Sequence, residues 1–147
     1  MTEVITQIPG YENGSVKRIS ASDFSAPIIV AEIAIDLRDD WNTKVLCLSL
    51  DERKDLIESF ITNNGTNPNA IKTIVLNQKN PEVSVVIKKA SGIIHRKFVR
   101  AVIISGAERL RLKQPSPDEK DIINRWIVRM AKAEMIPLIL VETSSSE

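Results

Sequence analysis

The chain has 147 residues, a formal charge of +1 and one cysteine. That length suits a single domain with one core and no staples. The charge excludes a protein that is basic all over, and a lone Cys47 excludes an internal disulfide or a multi-cysteine zinc site. No apolar run reaches the roughly 18 residues needed to cross a bilayer, and no basic-then-apolar leader opens the chain. The expected setting is therefore intracellular (cytoplasmic, or the host cytoplasm for a viral gene), with no membrane partner.

The apolar set is rich in β-branched residues, 21 Ile and 12 Val against 10 Leu, which favours sheet over helix. Residues 1–25 are polar and carry Pro9-Gly10 and Asn13-Gly14; they read as a flexible N-terminal arm with at most one short strand. From Ala26 to Thr143 the pattern describes one domain, followed by a disordered tail at 144–147. Ile29, Ala31, Ile33, Ile35 and Leu37 alternate with Ile28, Val30, Glu32, Ala34 and Asp36, the period of a strand. Arg38–Asn42 then makes a turn into a second strand over Thr43–Leu50, so 26–50 is expected to be an antiparallel hairpin. Cys47, inside that second strand, reads as a small buried hydrophobe.

Ser49 and Glu52 have the spacing of a capping box, predicting a helix from about Leu50 to Thr62 that stops at Asn63-Asn64-Gly65. Strands are predicted over Ala70–Asn77 and Glu82–Lys89, with Ser91-Gly92 as a tight turn into another strand at Phe98–Ile104. Arg109–Lys113 alternates as a charged edge strand would. Ser116-Pro117-Asp118-Glu119 opens a second helix with Ile122, Ile123, Trp126, Ile127 and Met130 on its apolar stripe, Trp126 being core. A final strand follows from Ile136 to Val141. The sum is an α+β domain: a mainly antiparallel sheet of six or seven strands, with two helices.

No phosphate-binding glycine pattern occurs, since the five glycines lie at 10, 14, 65, 92 and 106. His95 is the sole histidine and has no acidic neighbour in sequence to orient its ring, so it reads as a surface residue. No catalytic residue, cofactor or metal site is assigned. The strongest signal is charge segregation. Lys88, Lys89, Arg96, Lys97, Arg100, Arg109, Arg111 and Lys113 stand against Glu108 alone, a local +7; residues 32–58 sum to −4. A hairpin turning at Ser91-Gly92 would gather Lys88, Lys89, His95, Arg96 and Lys97 at its tip, and like charges there call for an anionic partner. The candidate binding residues are those five with Arg109, Arg111 and Lys113, and Trp41 is a candidate interface anchor.

Three readings follow. The first is a non-catalytic interaction or assembly domain, a homo-oligomer or the partner of another protein, joined through complementary charge. The second is a nucleic-acid-binding protein that contacts the phosphate backbone through the basic hairpin. The third is a small metal-dependent enzyme using Asp36 with Asp39 or Asp40 as oxygen ligands.

Overall fold

The computed structural model describes residues 10–40, 43–64 and 73–143. Helix and strand alternate: β1 (Val16–Ala21), α1 (Ala26–Ile35) prolonged by a π-helical turn (Asp36–Asp40), β2 (Val45–Ser49) and α2 (Lys54–Asn64) come first. Then follow β3 (Thr73–Asn77), α3 (Val83–Lys97), β4 (Ala101–Ser105), a 3-10 turn (Ala107–Arg109), α4 (Glu119–Glu134) and β5 (Leu138–Thr143). The strands form one sheet in the order β1-β5-β4-β2-β3, and every pairing is parallel.

The mixture of helix and strand agrees with the sequence; the antiparallel sheet of six or seven strands with two helices does not. Among the described residues there are five strands, all parallel, and four α-helices. β2 and β4 are buried at every position, so they carry unbroken apolar runs, as parallel strands covered on both faces do. Leu46, Leu48, Val102, Ile104, Leu138 and Leu140 face α3 and α4; Val45, Cys47, Ala101, Ile103, Ile139 and Val141 face α1 and α2.

The two misread segments have one cause. The predicted first strand of the 26–50 hairpin is α1. Its buried residues Ala26, Val30, Ile33 and Ala34, continued by Leu37, fall at helical spacing, but the run is apolar nearly all round and a period of two fits it as well. Ser22 and Ser25 bond to each other at its start, and Pro27 occupies the first turn, where its missing N–H costs nothing. The predicted strand at Glu82–Lys89, the Ser91-Gly92 turn and the residues after it form one helix, α3. Val83, Val86, Ala90, Ile93 and Ile94 make its buried stripe. Ser91 and Gly92 lie inside it: Ser91 Oγ donates to Glu134 of α4 at 2.8 Å, and the Arg96 guanidinium lies over Gly92.

Smaller differences follow from side chains engaged elsewhere. α2 starts at Lys54 rather than Leu50, because Glu52 adopts φ 57° and leaves the helix path. The predicted edge strand at Arg109–Lys113 is the end of the 3-10 turn plus a single bridge from Arg111 to Glu82. α4 begins at Glu119, two residues beyond the expected first position Pro117. Ser116 Oγ accepts the Asp118 N–H at 3.2 Å in the turn before it, and Glu119 accepts the Leu112 N–H instead of completing a capping box. Trp126, expected in the core, is 42% exposed. Within the expected arm, Val16–Ala21 is the edge strand β1, paired with β5 along its whole length; the tail at 144–147 lies outside the described residues. Among the described residues no helix is long and apolar enough to cross a membrane.

Candidate functional site

In an open parallel sheet, ligands gather at the carboxyl ends of the strands where the winding direction reverses. Here that point lies between β2 and β4. Ser49 and Ser105 end these strands, and both are buried. Ser49 Oγ donates to Asp51 at 2.6 Å and accepts the Arg53 N–H at 2.8 Å; Ser105 Oγ lies 3.3 Å from both Asp51 oxygens. Asn77 Oδ1 accepts the Lys54 N–H at 3.2 Å. Gly106 has φ 75°, and a Cβ there would sit 3.0 Å from Asp51 Cγ. These groups spend their bonding on one another, so Asp51 works as a lock joining the β2–α2 and β4 turns.

Beside it, a groove of about 810 Å³ runs between β1, β5, the 107–111 segment and the start of α4. Its walls are also largely paired. Arg18 bonds Glu142 at 2.7 Å and Asn124 at 2.6 Å, while Glu108 accepts the N–H and hydroxyl of Thr143 at 2.9 and 2.7 Å.

The outer surface of α3 and α4 is different. Both helices run from the carboxyl to the amino end of the sheet, side by side on one face. Lys88 and Lys89 are exposed midway along α3, and His95, Arg96 and Lys97 are exposed in its last turn. Arg125, Arg129 and Lys132 lie on α4 opposite its buried Ile123, Ile127 and Met130. Among the described residues, Lys88, Lys89, Arg96, Lys97, Arg100, Arg125, Arg129 and Lys132 have no carboxylate within ion-pair distance. α3 and α4 together sum to +5, eight Lys and Arg against Glu119, Asp121 and Glu134. Across the sheet, α1, its π-turn and α2 sum to −4: Glu32, Asp36, Asp39, Asp40, Asp55 and Glu58 against Arg38 and Lys54.

The eight predicted binding residues are thus divided. Lys88, Lys89, His95, Arg96 and Lys97 share α3, although on a helix rather than a hairpin tip. Arg109, Arg111 and Lys113 belong to the carboxyl end, since Arg111 O accepts the Val83 N–H at 2.8 Å at the start of α3. The length of α3, about 22 Å for 15 residues, separates them from Lys97. Arg109 lies 3.8 Å from Glu108, and Arg111 donates to the Glu108 and Leu110 carbonyls. His95 Nε2 meets Glu134 at 2.9 Å, a carboxylate 39 positions away that no local reading supplies. Trp41 lies outside the described residues. Sequence reasoning missed Arg125, Arg129 and Lys132 as partners of the α3 cations; their four-and-three spacing was a legible signal, but adjacency of the helices was not.

Glu32 and Asp36, expected about 13 Å apart on a strand, are exposed one turn apart at the end of α1. That removes the strand geometry behind a metal pair at Asp36. Among the described residues no group of three or more His, Cys, Asp or Glu is placed to hold a metal ion.

Fold and surface together define a doubly wound parallel-sheet domain with helical layers of opposite charge. Comparison with protein-family models and with curated proteins found no match.

Proposed function

We propose that the protein is a non-catalytic assembly domain that self-associates, the basic α3–α4 layer of one copy meeting the acidic α1–α2 side of another. One observation carries this reading: among the described residues the Lys and Arg side chains of α3 and α4 face solvent with no carboxylate within ion-pair distance, while the elements across the sheet carry an excess of acidic residues in sequence. Part of the cationic charge serves the helices themselves. Basic residues in the last turns of α3 and α4 oppose the negative ends of the helix dipoles. Lys88, Lys89 and Arg125 lie well before the last turn, and the dipole accounts for none of them. Complementary patches on opposite faces cannot satisfy each other within one molecule; they form head-to-tail contacts that continue into rings or filaments. An intracellular setting belongs to the same reading, since Cys47 is a free thiol buried in the core.

Sedimentation across a salt series tests the proposal. Association is expected at low salt and should weaken as ionic strength rises from about 0.05 to about 0.5 M; Lys88→Glu with Arg96→Glu should give a monomer. A strict monomer at high concentration and low salt overturns it.

The same unpaired row on α3 supports a second reading, a helix face laid on a nucleic-acid backbone. Adding duplex DNA to the salt series separates the two. A complex that dissolves with salt and is indifferent to base sequence favours the second reading over the first.

A further inference from the structure

α3 and α4 end alike. Each stops in a left-handed residue whose N–H returns to the helix, Phe98 to Ile94 and Met135 to Ala131, and the next residue closes the motif. Glycine is the usual occupant of that position because a Cβ is disfavoured there. Here φ is 57° at Phe98 and 58° at Met135, and both large side chains point outward, 79% and 63% exposed. The His95–Glu134 pair holds the two helix ends together at 2.9 Å. The amino end of the sheet therefore presents an apolar pair beside Arg96, Lys97, Arg100 and Lys132, all exposed and, among the described residues, without an ion pair. A fold gains nothing for itself by holding large apolar side chains in water at strained positions.

The counterpart is at the other end of the molecule. Phe24, 85% exposed, opens the turn into α1, and Leu56, 49% exposed, lies in the first turn of α2. Arg53 ties these turns together by donating to the Asp23 carbonyl. The exposed carboxylates beside this second pair are Asp23, Glu52 and Asp55; Arg53 lies 3.8 Å from Asp23 and Lys54 pairs with Glu58, which leaves Glu52 and Asp55 as the acidic excess. Phe24 and Leu56 are thus two exposed apolar side chains on turns linked by Arg53, in surroundings of the opposite net charge.

We infer that the amino-end patch of Phe98 and Met135 docks on the carboxyl-end patch of Phe24 and Leu56 in a second copy, stacking copies head to tail. The inference rests on the self-association proposed above and narrows its contact to the amino-end edge of the α3–α4 layer, meeting the carboxyl-end edge of the α1–α2 layer. Apolar contacts at the centre supply the attraction, while the charged rims set orientation and speed of encounter. Because the two patches differ, each copy keeps one free end after pairing, and growth does not stop at a dimer.

Two full-length double variants test this by sedimentation. Phe98→Gly with Met135→Gly relieves both left-handed residues, so the fold is retained, and Phe24→Ser with Leu56→Ser removes only exposed side chains. Each variant alone is expected to run as a monomer. Mixed together they should form a dimer and nothing larger, because one intact amino end and one intact carboxyl end remain. Asp55→Lys, fully on the surface, should weaken wild-type assembly without touching the core. Wild-type protein that associates, with both double variants still forming large species, overturns this contact and leaves self-association standing. A monomeric wild type overturns both. Wild-type monomer that pellets with vesicles of anionic phospholipid, losing that binding in the glycine variant, also overturns the inference, since the apolar pair would then serve a lipid surface.

Discussion

The two helical layers are built on different principles. α1 is buried on most of its circumference and Glu32 is its only charge, so little in its own pattern says which side faces the sheet. α3 and α4 each bury one stripe and hold Lys and Arg outward. Ile28, Ile29, Val30, Ile33 and Ile35 are poor helix formers because branching at Cβ restricts χ1. α1 is therefore a helix because it is packed against the sheet and α2, whereas α3 and α4 carry their orientation in their sequence. The first layer buries most of α1 against the sheet and α2; the second holds its Lys and Arg outward on one face.

The most severe way to break this comparison is in β4, where neighbouring residues face opposite layers. Ile103→Ala opens a cavity under α1 and Ile104→Ala opens one under α3 and α4. Each should cost about 3 kcal/mol in chemical denaturation. Both variants should unfold in one transition if the layers share one cooperative core; two transitions would show that the layers are independent.

Next comes the lock between them at the carboxyl end. Gly106→Ala forces a Cβ to 3.0 Å from Asp51 at φ 75°, and about 2 kcal/mol should be lost. Asp51→Asn should cost less, because an amide still accepts from Ser49.

Cys47 probes the α1 side alone. Burial pushes its thiol up to about 12, against 9.0 as its ordinary value. The unfolded chain releases this proton first, so the stability tied to Cys47 is complete below pH 9. It falls by about 1.4 kcal/mol per pH unit between 9 and 12. Cys47→Ala should lack that slope, and melting both proteins at pH 8 and pH 10 measures the difference. The wild-type thiol should also resist alkylation until the protein unfolds.

The smallest effect belongs to the charged layer. Met135→Gly should stabilise the monomer by about 1 kcal/mol, since it removes a left-handed strain and little buried area. A loss instead would mean that Met135 packs on its own chain.

Local chemistry made some of the molecule readable in advance. The start of α4 to within two residues, the burial of Cys47 and the strand character of β2 and β4 all follow from neighbours within a few residues. The cationic excess of 88–113 was also plain. What misled was ambiguity of period: in an all-apolar run, two-residue and 3.6-residue repeats fit equally well, so α1 read as a strand. Ser91-Gly92 has the composition of a turn, yet packing of Val86, Ala90, Ile93 and Ile94 on the sheet outweighs the modest cost of one glycine in a helix.

The sequence by itself determined how much charge each segment carries, which runs are apolar and where the strongest helix start lies, because these depend on residues close along the chain. Tertiary structure alone decided that the strands run parallel, that His95 meets Glu134 and that Arg125, Arg129 and Lys132 join the α3 cations on one surface. Each of those depends on crossovers that bring distant segments together, and a crossover leaves no mark on the residues it joins.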